Sequence, residues 1–462
     1  MLLTDAGAAG QDITQTDRRW LSRNDLAACI LIWLAYLIRS EMLLLTLPIV
    51  GVAVFIRWRM KNLHALQHKL LFERYLILGI VILLGIGIGT LMNRAAYSSP
   101  QWKEFDRFFD NRTEVYDFQG IPEYGANRSF YDSIGLSEHE QALLENYNFG
   151  LDEEIDADCM GKIAQYAAVH NSGKTSMPDK IAQACKGYLY RLHHLGVPQD
   201  FEYPQTDAPW NLLTILLYLT ILVLYLTEAG QEKKWYRLRF LIWMAILFAV
   251  RTVLWGYILV RGRDPIRITH SLYLMEMSVL GAMLIWKLTA GRVRQGTDRK
   301  KVWQVVSGFL MLAILAGCIL YLPAQYRMTA QEAKQRSQVN EPYLEMYEYC
   351  RKHADNFYFI DVYSSVLYSE KMFADVDNTL ENYDIMGGWA CKSPLQIQKY
   401  AKFGFTDMQQ ALLQNHVYMI ENVSDDISWI LDYYGAEGIS VKAERVDVTG
   451  GTFAVYRLEA VQ

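Results

Sequence analysis

Two charged residues interrupt long apolar runs, and charge at that depth marks the first place to look for chemistry. Arg251 sits near the middle of Phe240–Val260, and Glu276 sits within Thr269–Leu288. A charge at the centre of a membrane-spanning helix costs at least about 2.5 kcal/mol on insertion scales, so such side chains face partners rather than lipid. Arg251 precedes Arg261 by ten residues and so lies ~15 Å below the connecting loop. Glu276 lies ~10 Å below it on the next run. A short loop makes the two runs antiparallel neighbours, and an intramembrane Arg251–Glu276 ion pair is expected.

The loop itself, Arg261-Gly262-Arg263-Asp264-Pro265-Ile266-Arg267, carries three arginines. Guanidinium groups at a membrane face suit a phosphate, such as a lipid-linked one. The bland alternative is a structural pair with arginines resting on ordinary anionic headgroups. Arg39 and Glu41 stand between the first two apolar runs and could join the same polar chamber. A second candidate pocket lies near the C-terminus, where Asp361 ends an apolar strand, Ser364 and Ser365 follow, and Gly387-Gly388-Trp389 forms a loop. Ligands gather at the carboxyl ends of strands in α/β folds; the plainer reading is an Asp that caps a helix. A third feature is a stretch rich in rings and carboxylates: Trp102, Phe105, Phe108, Phe109, Tyr116, Asp117, Tyr124 and Tyr131. Rings stack on the C–H faces of sugars and carboxylates bond their hydroxyls; otherwise these rings form the lobe's own core.

The elements that must position these residues read as membrane helices. Seven apolar runs stand out: Leu26–Ile38, Met42–Ile56, Tyr75–Met92, Leu212–Thr227, Phe240–Val260, Thr269–Leu288 and Val302–Leu322. Crossing hydrocarbon takes about 20 apolar residues. The first two runs are shorter and separated only by Arg39, Ser40 and Glu41, which favours a shallow hairpin over one long broken helix. No cleavable signal peptide is read at the start; the first run is expected to be retained. Lys and Arg crowd Arg57–Arg74, the loop with Lys233, Lys234, Arg237 and Arg239, and the loop with Arg292, Arg294, Arg299, Lys300 and Lys301. The positive-inside tendency places these loops in the cytoplasm. The expected localisation is the plasma membrane, with a cytoplasmic N-terminus and an extracytoplasmic C-terminus.

The expected domains are a leader over residues 1–25, a hairpin plus third span over 26–92, an acidic helical ectodomain over 93–209, a four-helix membrane region over 210–322, and a C-terminal α/β ectodomain over 323–462. In the insertion, Ser137-Glu138-His139-Glu140 is a capping box and Pro178-Asp179 opens another helix. In the C-terminal lobe, helices are expected at 341–353, 364–373, 394–403 and 425–434, with a further helix capped by Thr406-Asp407-Met408-Gln409. Strands are expected at 357–361 and 417–420, and a hairpin turns on Gly450-Gly451. The fold class is a multi-pass α-helical membrane protein with a helical insertion and an α/β ectodomain.

The net charge of −5 and the absence of a clustered basic face exclude nucleic acid as the expected partner. Cys159 with Cys185 and Cys350 with Cys391 could each be a disulfide or two free thiols. No Cys/His spacing suits a metal, and the sequence leaves any cofactor unknown. Ser172-Gly173-Lys174-Thr175 lacks the first glycine and the strand of a phosphate loop. Gly85, Gly87 and Gly89 in the third run suit close helix packing.

This layout, with a helix after the last span leading into the Phe357-Tyr358-Phe359-Ile360-Asp361 strand, resembles the GT-C class of membrane glycosyltransferases. It also looks similar to multi-pass membrane proteins of Gram-positive bacteria that imply no chemistry. The first resemblance implies Glu41 as a general base, Arg261, Arg263 and Arg267 as contacts for a polyprenyl-phosphate sugar donor, and ectodomains that bind the acceptor glycan. The sequence departs from that class in its nearly absent first outer loop and its small number of spans. The alternative expectation is a non-catalytic membrane protein whose extracytoplasmic domains bind partners or glycan in envelope assembly.

Overall fold

The structure, a computed structural model, describes residues 23–60, 65–172, 176–194, 207, 209–226, 234–262, 264–294, 297–369 and 382–461. The chain divides into two compact units. The first comprises Met1–Ala95 and Thr175–Ala316; the second comprises Ala96–Lys174 and Gly317–Gln462. Residues 93–209, expected as one ectodomain, are thus shared between the two.

The apolar helices α1 (Arg23–Met60), α2 (Ala65–Ala96), α8 (Trp210–Leu226), α9 (Lys234–Val260) and α10 (Ile266–Arg294), with the amphipathic α7 (Met177–His193), build the first unit. Among the described residues, Phe72–Ala96, Phe240–Val260 and Ile266–Ile285 are long and apolar enough to cross a membrane, as is Asp25–Ile56 when its two arms about Arg39 are counted together, and Trp210–Leu224 is a shorter apolar helix. This is the make-up of a membrane protein. The seventh apolar run of the sequence lies in the first part of α11 (Thr297–Lys352).

The first two runs meet at a break in α1, where Arg39 leaves helical geometry (φ −160°, ψ 90°). The chain reverses there, and distances require it. Arg74 of α2 pairs with Asp25, Trp33 Nε1 donates to the Ile82 carbonyl over 3.2 Å, and Tyr36 bonds Thr90 over 2.6 Å. Partners that advance together mean that α2 runs parallel to the start of α1. A straight helix from Asp25 to Met60 would span about 50 Å, and the chain from Met60 to Arg74 reaches back only about 30 Å. Trp33 lies against Gly85, where a side chain would collide, and Tyr36 packs closely on Gly89, whereas Gly87 faces open space.

In the second unit, α3 (Pro100–Thr113), a π-helix (Glu114–Gln119), α4 (Arg128–Ile134), α5 (Glu138–Glu145) and α6 (Ala157–Ser172) precede the sheet. Among the described residues, five strands form one sheet: β1 (Phe357–Ile360), β2 (Tyr383–Ile385), β3 (Val417–Asn422), β4 (Val441–Thr449) and β5 (Phe453–Ala460). The order is β2-β1-β3-β5-β4, with β1 parallel to both neighbours and β5 antiparallel to β3 and β4. Every residue of β1 is buried, because helices cover both faces. Phe357 and Phe359 face a core shared with Phe108, Leu143, Phe149 and Ile163, while Tyr358 and Ile360 face Tyr343, Met346 and Cys350 of α11. The 96–174 helices and the sheet therefore bury one common core.

Local expectations are met unevenly. The capping box at Ser137 and Glu140 is present. α12 (Pro394–Lys402), α13 (Met408–Ala411) and α14 (Ser428–Ala436) appear, with Asp407 rather than Thr406 as the cap of α13. Gly450 and Gly451 hold positive φ in the hairpin turn. The helix expected over 364–373 is replaced through residue 367 by turns, and 370–373 lie outside the described residues. The strand β2 had no counterpart among the expectations. Cys159, Cys185, Cys350 and Cys391 are free thiols. Cys159 and Cys185 belong to different units, and Cys391 and Cys350 lie in cores on opposite faces of the sheet. The leader through residue 22, and Gly173, Lys174 and Thr175, are outside the described residues.

Gly387 presses on the Tyr147 carbonyl so closely that a Cβ there has no room. Gly387→Ala is expected to destabilise the second unit by about 1–3 kcal/mol, as overpacking does, read by denaturant unfolding; an unchanged midpoint would contradict the packing.

Candidate functional site

The first unit holds a continuous chain of buried polar groups. Arg251 Nε donates to Glu276 Oε2 over 2.8 Å, and Tyr218 of α8 donates to Glu276 Oε1 over 2.8 Å. Arg251 Nη1 donates to the Tyr188 hydroxyl of α7 over 2.7 Å, and Nη2 reaches the Tyr273 hydroxyl at 3.5 Å. Tyr273 passes the chain to Asp207 over 3.2 Å. Arg191 holds both oxygens of Asp207, at 2.9 and 3.1 Å, and also pairs with Asp264. Asn211 closes the end by donating to the Arg191 and His194 carbonyls. Every nitrogen of the Arg251 guanidinium is engaged. The chain stitches α7, α8, α9 and α10 together through groups that lipid could not satisfy.

The other candidates in this unit lie apart from that chain. Glu41 is exposed, as are Arg39, Arg261 and Arg267. Arg261 rests over the Tyr257 ring, 5.5 Å from its centroid. Arg263 lies outside the described residues. Asp264, from the same loop, turns back to Arg191. Arg191, Asp207 and the tyrosines escape a reading of the sequence that looks only for charge inside apolar runs. Tyr218 and Tyr273 stand on two different runs, and Tyr188 lies on α7 outside them, so no spacing links the three.

In the second unit, Asp361 is buried with both oxygens occupied. Asn148 Nδ2 donates to Oδ1 over 2.6 Å, and the Ser364 amide donates to Oδ2 over 2.8 Å. Asn148 also accepts from the Val362 amide, and Ser364 Oγ accepts from the Asn422 amide over 2.9 Å. Ser365 bonds only its own turn, at the Val362 carbonyl. Asp361 and Ser364 therefore tie the ends of β1 and β3 to the helical insertion. Trp389, grouped with them from sequence, makes its contacts elsewhere.

Trp389 is 61% exposed and covers Arg112 of α3, whose guanidinium lies 4.1 Å from the indole centroid and 4.8 Å from the Phe109 ring. Arg112 is only 5% exposed. Nη1 donates to the Gly388 carbonyl over 2.6 Å; Nη2 is buried and finds no acceptor among the described residues. No ion pair engages Arg112 among the described residues. Burial pushes its guanidinium below the ordinary value.

From Trp389 a ladder of rings runs along α3. Trp389 meets Phe109 at 5.5 Å, Phe109 meets Phe105 at 6.0 Å, Phe105 meets Trp102 at 5.8 Å, and Trp102 meets Tyr97 at 4.8 Å. Residues 102, 105 and 109 share one helical face. The rings of the insertion thus divide: Phe108, Tyr116, Tyr124 and Tyr131 belong to the core, while Tyr97, Trp102, Phe105 and Phe109 remain partly open. Exposed Lys103, Glu104, Asp106, Arg107 and Asp110 flank the strip.

A buried carboxyl near Asp361 completes the inventory. Glu421 accepts from Trp429 Nε1 over 3.3 Å through one oxygen, and the other has no partner among the described residues. Burial, then the neighbouring Asp361 charge, pushes its carboxyl up to about 8. No group of three or more His, Cys, Asp or Glu is placed to hold a metal among the described residues.

No protein family model matches this chain, and neither a curated protein nor a solved structure does.

Two outcomes follow from this geometry. Glu276→Leu leaves Arg251 as an uncompensated buried charge and is expected to cost about 3–5 kcal/mol, with Arg251→Leu/Glu276→Leu costing far less. Unfolding in detergent reads this, and a double variant as damaged as the single one would contradict it. For Glu421, the folded state keeps a proton that the unfolded chain releases near pH 4.5, so stability falls as pH rises from there through about 8. Glu421→Gln flattens that slope; an identical pH profile for variant and wild type would refute the assignment.

Proposed function

We propose that this chain is a membrane-anchored carbohydrate-binding protein of the cell envelope. The first unit is the anchor, crossing the plasma membrane with the N-terminus in the cytoplasm. The second unit stands on the outer side and takes up glycan during envelope or surface polysaccharide assembly. The observation that carries this reading is the ring ladder from Tyr97 to Trp389. The half-open rings follow one another along one face of α3, tilted or edge-on to their neighbours, and their exposed parts offer apolar surface on which sugar C–H groups can rest. The charged residues beside them supply donors and acceptors for hydroxyls.

A sugar transferase using a polyprenyl-phosphate donor would need Glu41 to meet Arg261 and Arg267 in one polar chamber. Glu41 is exposed and makes no hydrogen bond or ion pair among the described residues, and the buried charges of α9 and α10 are saturated by their neighbours. Binding without chemistry is the reading these contacts favour.

The full chain in detergent is expected to retain oligosaccharides from cell-envelope extracts on a glycan array. Trp102→Ala and Phe109→Ala should each weaken that binding about tenfold, the equivalent of ~1.4 kcal/mol. Unchanged binding in both variants would contradict the assignment.

A further inference from the structure

We propose that Arg112 is an anion receptor at the end of the ring ladder, so that the bound glycan carries a carboxylate or phosphate group beside the sugar stacked on Phe109. This deepens the glycan-binding reading and rests on it.

A guanidinium removed from water ordinarily has a carboxylate for company. Arg112 has a single carbonyl, from Gly388, and two ring faces. Its Nη2 has hydrogen-bonding capacity that nothing among the described residues uses. In the first unit, Arg191 and Arg251 each hold carboxylates, so an Arg112 of purely structural purpose would be the exception in its own chain. The planar fork of a guanidinium matches carboxylate and phosphate oxygens in pairs. A sulfonium or amine ligand has no place beside it.

Access to Nη2 runs through Trp389. Its indole lies over the guanidinium yet is largely exposed, and it follows Gly387 and Gly388, the latter at φ +85°. A side chain on such a loop can swing aside, letting an anion take its place against Nη2 while a sugar ring occupies the Phe109 face.

Binding of the full chain in detergent to three probes tests this: an oligogalacturonate, its carboxyl-reduced neutral counterpart, and a phosphorylated neutral oligosaccharide. The wild type is expected to favour at least one acidic probe over the neutral one by about tenfold or more, with a preference that shrinks as salt rises. Which acidic probe is preferred separates carboxylate from phosphate. Arg112→Gln should abolish the preference while leaving neutral binding in place, and Arg112→Lys should restore only part of it. Trp389→Ala, which removes the cover over Arg112 but leaves the guanidinium, should retain the acidic preference, and unfolding midpoints of the Arg112 variants equal to that of the wild type guard against misfolding. A wild type that binds acidic and neutral probes equally overturns the anion receptor and leaves the glycan reading standing. A wild type that binds none of the three overturns both.

Discussion

A guanidinium taken out of water must find replacement contacts, and the two units answer that demand in opposite ways. In the membrane unit, Arg251 and Arg191 meet Glu276, Asp207 and Asp264, and tyrosine hydroxyls link the two pairs into one chain. Hydrocarbon offers no alternative partner, so closure of the chain is a condition for these helices to pack. In the second unit, Arg112 is equally withdrawn but is met by a carbonyl and two rings. In the first arrangement both guanidinium charges are met by carboxylates, although Arg191 Nε itself finds no acceptor among the described residues. In the second, Arg112 Nη2 has no acceptor among the described residues, and no carboxylate meets the charge.

That contrast separates structure from binding where residue type alone does not. Asp361, with Ser364 at the ends of parallel strands, stands where α/β folds place their ligands. Its two oxygens are nevertheless consumed by Asn148 and the Ser364 amide, which join the sheet to the helical insertion. The loop that follows β2 is different. Gly387 and Gly388 let the backbone approach Tyr147 and Arg112, and Trp389 is left facing outward.

What the sequence made legible follows the range of the forces involved. Apolar runs, helix caps and the Gly450-Gly451 hairpin depend on neighbours a few residues away, and their traces are local. Arg251 and Glu276 come to notice because each is costly where it stands. Arg112 does not, because it sits in a polar helix where an arginine resembles a solvated one; only the loop carrying Gly388, 276 residues away, hides it. Asn148 finds Asp361 across 213 residues, and no spacing announces it. The strand β2 has three residues and is defined by its pairing with β1 rather than by its own composition. The turns after β1 stand where a helix was expected, even though Asp361 accepts from the Ser364 amide as a helix-capping residue does.

The central claim is that Arg112 keeps an open coordination position for a ligand anion. An experimental structure of the full chain bound to an acidic oligosaccharide tests it most directly. The account predicts carboxylate or phosphate oxygens within hydrogen-bond distance of Arg112 Nη2, with a sugar ring laid on Phe109. Ligand density remote from α3, or Nη2 already satisfied by the protein itself, would contradict it.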